Sequence, residues 1–105
     1  MKYDKLIRDL IPEKIESSGG TYKTHVATEE EYWDKLRTKM GEEVEEFLDE
    51  PSVEELADIV EVVYAIAELK YGGIDKLEEA RVQKREERGG FEKRLILDES
   101  EYGKR

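Results

Sequence analysis

The chain has 105 residues, 44% of them charged, a formal net charge of −10 and no cysteine. That length supports one modest core and no second one, so residues 1–105 are expected to form a single unit. The lack of Cys excludes disulfides and thiolate metal sites and fits a reducing, cytoplasmic setting. The acidic balance disfavours nucleic-acid polymers, whose nonspecific binding depends on cationic side chains releasing counterions.

Taken in order, Lys2 to Asp9 is a mixed segment leading to Pro12, a residue suited to a first helical turn. Glu13 to Ser17 then reads as a short helix closed by Gly19-Gly20. Thr21 to Val26 alternates and leans towards a strand. Thr28 with Glu31 forms a capping box opening a long helix from Glu29 to Asp49, within which Gly41 costs about 1 kcal/mol relative to Ala. Pro51 ends that helix, and Ser52 with Glu55 opens another from Val53 to about Tyr71, stopped by Gly72-Gly73. A third long helix is expected from a cap near Asp75 to Arg88, with Gly89-Gly90 as its stop. Arg94 to Leu97 is a short strand candidate able to pair with Thr21 to Val26, and the tail from Glu99 to Arg105 is expected to fray.

The fold class that follows is mainly all-α, a bundle of three to four helices with room for one short β-hairpin. The most apolar stretch, Leu56 to Leu69, is interrupted by Asp58, Glu61 and Glu68, so it cannot span a bilayer, and the first residues lack an apolar signal core. No membrane partner is expected.

Acidic residues recur at helical spacing as Glu43/Glu46 and Glu55/Asp58. Residues three apart are neighbours on a helix surface, so each pair presents two carboxylates side by side. Charged runs usually form a solvated face, but the helical wheel argues against that here. At about 100° per residue, Trp33, Leu36, Met40, Val44 and Phe47 share a stripe on the first long helix, flanked by Lys39, Glu43, Glu46 and Glu50. On the next helix apolar residues cover more than half the circumference, as in a helix packed on several sides. Glu55 falls between Val62 and Ile66, with Asp58 at the edge of the same arc, so at least one of these two is expected to be buried. A buried carboxylate requires either a metal or a Lys or Arg partner. Four carboxylates in one place would raise each other's pKa unless divalent ions compensate. An oxygen-only set without His or Cys suits Mg²⁺ completed by phosphate oxygens. His25 lies outside these helices and reads as a strand or surface residue.

These motifs, Glu42-Glu43-Val44-Glu45-Glu46 and Glu55-Leu56-Ala57-Asp58, resemble the signature of the MazG-type all-α nucleoside triphosphate pyrophosphohydrolases. The opening Lys5-Leu6-Ile7-Arg8-Asp9-Leu10-Ile11-Pro12 and the closing Glu87-Arg88-Gly89-Gly90-Phe91-Glu92-Lys93-Arg94 are similar to a small single-domain, house-cleaning branch of that superfamily. The resemblance implies hydrolysis of a nucleoside triphosphate, of the noncanonical kind, between its α- and β-phosphates, yielding the monophosphate and pyrophosphate. It implies Mg²⁺, with Mn²⁺ as the alternative ion, on Glu43, Glu46, Glu55 and Asp58. Glu43 and Glu46 are the catalytic candidates; Glu46 stands furthest around the flank from the stripe, which makes it a candidate proton acceptor, and the sequence leaves open which acid is spectator, ligand or base. Lys39, Lys84 and Arg88 match the family's triphosphate contacts, and Arg8 is added from the opening motif.

Geometry permits these assignments without requiring them. Lys39 stands four residues before Glu43, and Lys84 and Arg88 share a face at i, i+4, but basic residues also gather at helix C-termini because the macrodipole favours them there. Tyr22, Trp33 and Tyr71 could stack on a base, although Trp33 lies on an apolar stripe and suits a core. Two other readings stand beside the resemblance: a hydrolase of the same fold acting on phosphoribosyl-ATP, and a non-catalytic helical interaction module. So apolar a helix in so short a chain is expected to bury part of its surface against a second copy, in a homodimer of four-helix type.

Overall fold

Two side-chain caps frame the molecule. The Thr28 Oγ1 accepts a hydrogen bond from the Glu31 N–H at 3.2 Å and the Ser52 Oγ one from the Glu55 N–H at 3.1 Å, each contact of a kind worth about 1 kcal/mol. They open the two longest helices of the computed structural model, which describes residues 3–101. In chain order the helices are α1 (Ile11–Ser17), α2 (Glu29–Asp49), α3 (Val53–Lys70) and α4 (Ile74–Arg88). Only Glu50, Pro51 and Ser52 separate α2 from α3, and so short a link makes them antiparallel neighbours. The α3–α4 link is also three residues, Tyr71, Gly72 and Gly73, and its two glycines take positive φ, 82° and 103°, where a residue with a Cβ would be strained.

Two expectations need correction. Gly73, not Asp75, stands at the N-cap of α4, and Asp75 falls inside the first turn, where its charge suits the helix dipole. The hairpin between Thr21–Val26 and Arg94–Leu97 is not formed: neither segment is a strand, and no strand occurs among the described residues. An isolated two-stranded ribbon is marginal in water, and both segments are exposed along their whole length. Arg94 moreover takes a left-handed φ of 59° in a turn closed by its N–H to the Phe91 carbonyl at 3.0 Å. Of the expected frayed tail, residues 99–101 are exposed and residues 102–105 lie outside the described residues.

The core is the seam between α2 and α3. Leu36, Val62 and Ala67 are buried there, with Met40, Phe47, Ile59, Val63 and Ile66 half-buried around them. Trp33 is half-buried beneath the cations of Arg37 and Lys70, at 4.8 and 5.0 Å from its ring, so it serves packing, as its stripe position implied. The seam is narrow. Val53, Leu56, Val60 and Tyr64 of α3 remain exposed, and α4 buries none of its residues. Among the described residues, no helix is long and apolar enough to cross a membrane.

Candidate metal centre

The three ligand oxygens offered by Glu43, Glu55 and Asp58 lie within 4.8 Å of one another. Glu43 reaches this point from α2, and Glu55 and Asp58, one turn apart, from the start of α3. The local sequence explains the register: Ser52 fixes the first turn of α3 next to the end of α2, which sets Glu55 opposite Glu43 across the seam.

Glu43 is the most buried of the four acids, at 8% exposure, while Glu55 and Asp58 are half-buried and Glu46 is exposed. The wheel places Glu43 on a flank and puts the expected burial on α3. Because α2 meets a single neighbour, its contact seam is the narrow row Leu36, Met40, Glu43 and Phe47, at spacings of four, three and four, and Glu43 lies within it. Val44, assigned to the stripe, is turned out.

The cluster is under-neutralised. Lys39 Nζ sits 3.4 Å from Glu43 Oε1, and the Arg8 guanidinium donates to Asp58 Oδ1 at 2.8 Å. One oxygen of Glu43 and one of Glu55, Oε2 in each, are buried without any hydrogen-bond partner, although such atoms ordinarily cost about 1–3 kcal/mol apiece. Burial pushes the Glu43 carboxyl above the usual carboxylate range, and the hydrogen bond and charge of neighbouring Glu46 push it further, with Lys39 opposing both. Four carboxylates face two cations, and one divalent ion would close the difference.

Oxygen donors alone, two of them orphaned, are what a hard cation takes. Two oxygens on opposite sides of Mg²⁺ stand about 4.2 Å apart, so the 4.8 Å spread closes onto an ion with side-chain shifts below about 1 Å. The residues present therefore fit a divalent metal, with Glu43, Glu55 and Asp58 as its holders. Glu46 lies outside that trio, exposed one turn along α2 from Glu43.

The remaining candidates fall at different removes. Arg8, placed among the phosphate contacts, is here the counter-ion of Asp58. Lys84 and Arg88 are exposed on α4 and make no ion pair among the described residues, whereas their neighbours Arg81 and Arg85 bind Glu78 and Glu92. Tyr22 and Tyr71 are exposed. His25 holds the Glu31 carboxylate at 3.0 Å, away from the acids of the seam. A separate crevice of about 370 Å³ runs along one face of α2, lined by Thr28, Glu31, Asp34 and Lys35 among others, but has no wall from a second helix.

One positioning residue escaped the sequence. Lys35 donates to the Asp4 carbonyl at 2.8 Å and lies 3.5 Å from its carboxylate, which ties the entry segment to α2 and brings Arg8 within reach of Asp58. Nothing in the sequence links positions 31 apart. No protein-family profile, curated protein or solved structure matches this chain.

Proposed function

We propose that this chain is a nucleoside triphosphate pyrophosphohydrolase of the MazG-like kind, dependent on Mg²⁺ or Mn²⁺, cytoplasmic, and directed at noncanonical nucleotides. The observation that supports it is the oxygen-only cluster of Glu43, Glu55 and Asp58, with two buried carboxylate oxygens left without partners. A bound divalent ion supplies charge neutralisation at the triphosphate and acidifies water. Phosphoryl chemistry of this kind needs little else from the protein beyond positioning and cationic contacts.

The chain's own residues divide that work. Glu43, Glu55 and Asp58 hold the ion. Exposed Glu46, beside Glu43, accepts the proton of the attacking water. Lys39 and Arg8 sit at the edge of the cluster and turn from carboxylate to phosphate when a nucleotide brings its own negative charge, and Lys84 with Arg88 offers a second cationic pair on α4.

The reading includes a homodimer. The chain exposes 9879 Å², where a folded monomer of this mass exposes about 6,100 Å². Its radius of gyration of 18.4 Å exceeds the roughly 13 Å of a compact domain of this length. The excess, about 3,800 Å² on one chain, is more than the roughly 1,000–2,500 Å² that each partner of an obligate dimer buries, so there is surface enough for such an interface.

A panel of nucleoside triphosphates incubated with Mg²⁺, including dUTP, dCTP and oxidised or deaminated purine triphosphates, tests the reading. Monophosphate with pyrophosphate is the expected product pair, and Glu55→Gln and Asp58→Asn should each lose at least about tenfold in turnover. Diphosphate with orthophosphate, or wild-type turnover in both folded variants, refutes it.

A further inference from the structure

Phe91, Leu95, Ile96 and Leu97 are 97%, 82%, 82% and 80% exposed. In a chain only 37% hydrophobic, an uninterrupted apolar triplet left in water calls for an occupant or a host. The segment is held at its root, where Arg85 of α4 binds Glu92 and the turn from Phe91 to Arg94 closes at 3.0 Å. Beyond that turn residues 95–97 run without helix, strand or cover.

The same chain also offers a host. A cleft of about 310 Å³ lies where α2, α3 and the start of α4 meet, lined by Met40, Val63, Ile66, Tyr71, Leu77 and Ala80, together with the cation of Lys76. Extended residues alternate sides, so Leu95 and Leu97 share one face, and the acids Asp98 and Glu99 follow them directly. Two apolar side chains followed by negative charge match an apolar cleft bordered by a lysine.

We infer that residues 91–97 form an arm that docks Leu95 and Leu97 into the cleft where α2, α3 and α4 meet in a second copy of this chain. The inference rests on the homodimer reading given above. The occupant is a second copy because of how surface and shape are distributed. At 21 residues α2 is about 32 Å long, yet the molecule measures 60 Å along its longest axis, so segments outside the α2–α3 hairpin make up the rest. Helix α4 buries nothing and carries its apolar residues past its far end. Reciprocal docking of such arms removes part of the surplus accessible surface, and exchange of an identical element is a low-cost route to a symmetric dimer.

The chain has no cysteine, which makes engineered thiols unambiguous reporters. Glu99→Cys and mass-tagged Lys76→Cys proteins are mixed, oxidised and read by mass spectrometry, with sedimentation of the unmodified chain run first. The expected results are a dimer, a mixed disulfide between the two proteins, and a dissociation constant raised at least tenfold by Leu95→Asp with helix content by circular dichroism unchanged. A dimer without the mixed disulfide, or a double variant that closes only an intrachain bond, overturns the arm and leaves the dimer standing. A monomer at all concentrations overturns both, and magnesium titration of that monomer still judges the metal reading separately.

Discussion

Replacing Glu43 by Gln should stabilise the protein without metal and destabilise it, relative to wild type, with metal. Two carboxylates within 4.8 Å of Glu43, at an effective dielectric of about 20, each repel it by about 3.5 kcal/mol, and the charge of Glu46 adds to that repulsion. Lys39 at 3.4 Å returns about 5 kcal/mol on the same scale. The balance is about 2 kcal/mol against the charged form, reduced to about 1 kcal/mol because Glu55 and Asp58 are partly exposed and water screens them. Desolvation of Glu43 acts in the same direction, and the new amide N–H₂ can donate to the orphaned Glu55 Oε2. In a chelator, Glu43→Gln should therefore gain about 1–2 kcal/mol, with each 1 kcal/mol worth roughly 4–8 °C in Tm. Magnesium at about 100 times its dissociation constant should add about 2.7 kcal/mol to wild type and far less to a variant that has lost its most buried ligand. Thermal melts of both proteins at one fixed concentration, in EDTA and in Mg²⁺, should cross over in order. Equal gains from Mg²⁺, or a Gln variant that melts lower in EDTA, would refute the reasoning.

The raised pKa of Glu43 gives a pH dependence of definite sign. In chelator the folded state keeps the Glu43 proton to higher pH than the unfolded state, so stability falls as pH rises from the ordinary glutamate range through the raised value; denaturant titrations across that window should show the fall in wild type and its loss in Glu43→Gln. Arg8→Gln should cost under about 1 kcal/mol, since the pair with Asp58 is largely exposed. The same change should tighten metal uptake in calorimetry by removing a competitor for Asp58, while weakening nucleotide binding. Leu36→Ala, at a side chain 2% exposed, should lose about 2–5 kcal/mol in urea melts, because it empties the centre of a seam with few other buried residues.

The helices were legible because their ends are written in short-range chemistry. Thr28 with Glu31, Ser52 with Glu55, Pro51, and the glycine pairs at 72–73 and 89–90 each act within a few residues, and α2 and α3 start where those signals place them. The hairpin does not form where alternation suggests it, because alternation reports only that a segment could be half-buried on a sheet. Whether a partner is there is a tertiary matter, and for Thr21–Val26 and Arg94–Leu97 none is. Asp75 reads as a cap because Asp is a strong capping residue, but the paired glycines close the turn earlier through backbone alone, with the Gly73 N–H on the Ala67 carbonyl at 2.9 Å.

At the site, spacing along each helix gave the ligand pairs, since i, i+3 geometry is local. It could not give the burial order, because that depends on how many neighbours a helix has. The wheel of α2 was drawn for a broad apolar face; with α3 as its only long contact the seam contracts, Glu43 moves into it and Val44 moves out. The pairing of Arg8 with Asp58 across 50 positions leaves no trace in any window of sequence. A shared cause links the narrow seam to the exposed apolar face of α3. One chain supplies only one wall for Glu43 and none for Val53, Leu56, Val60 and Tyr64. A second copy covering those residues would deepen the seam, lower the dielectric around Glu43, Glu55 and Asp58, and raise the cost of leaving their charges without a cation. Dimer formation and metal uptake are then thermodynamically linked: dissociation measured in Mg²⁺ should be weaker than in chelator, and equal dissociation constants in the two conditions would separate the core from the site.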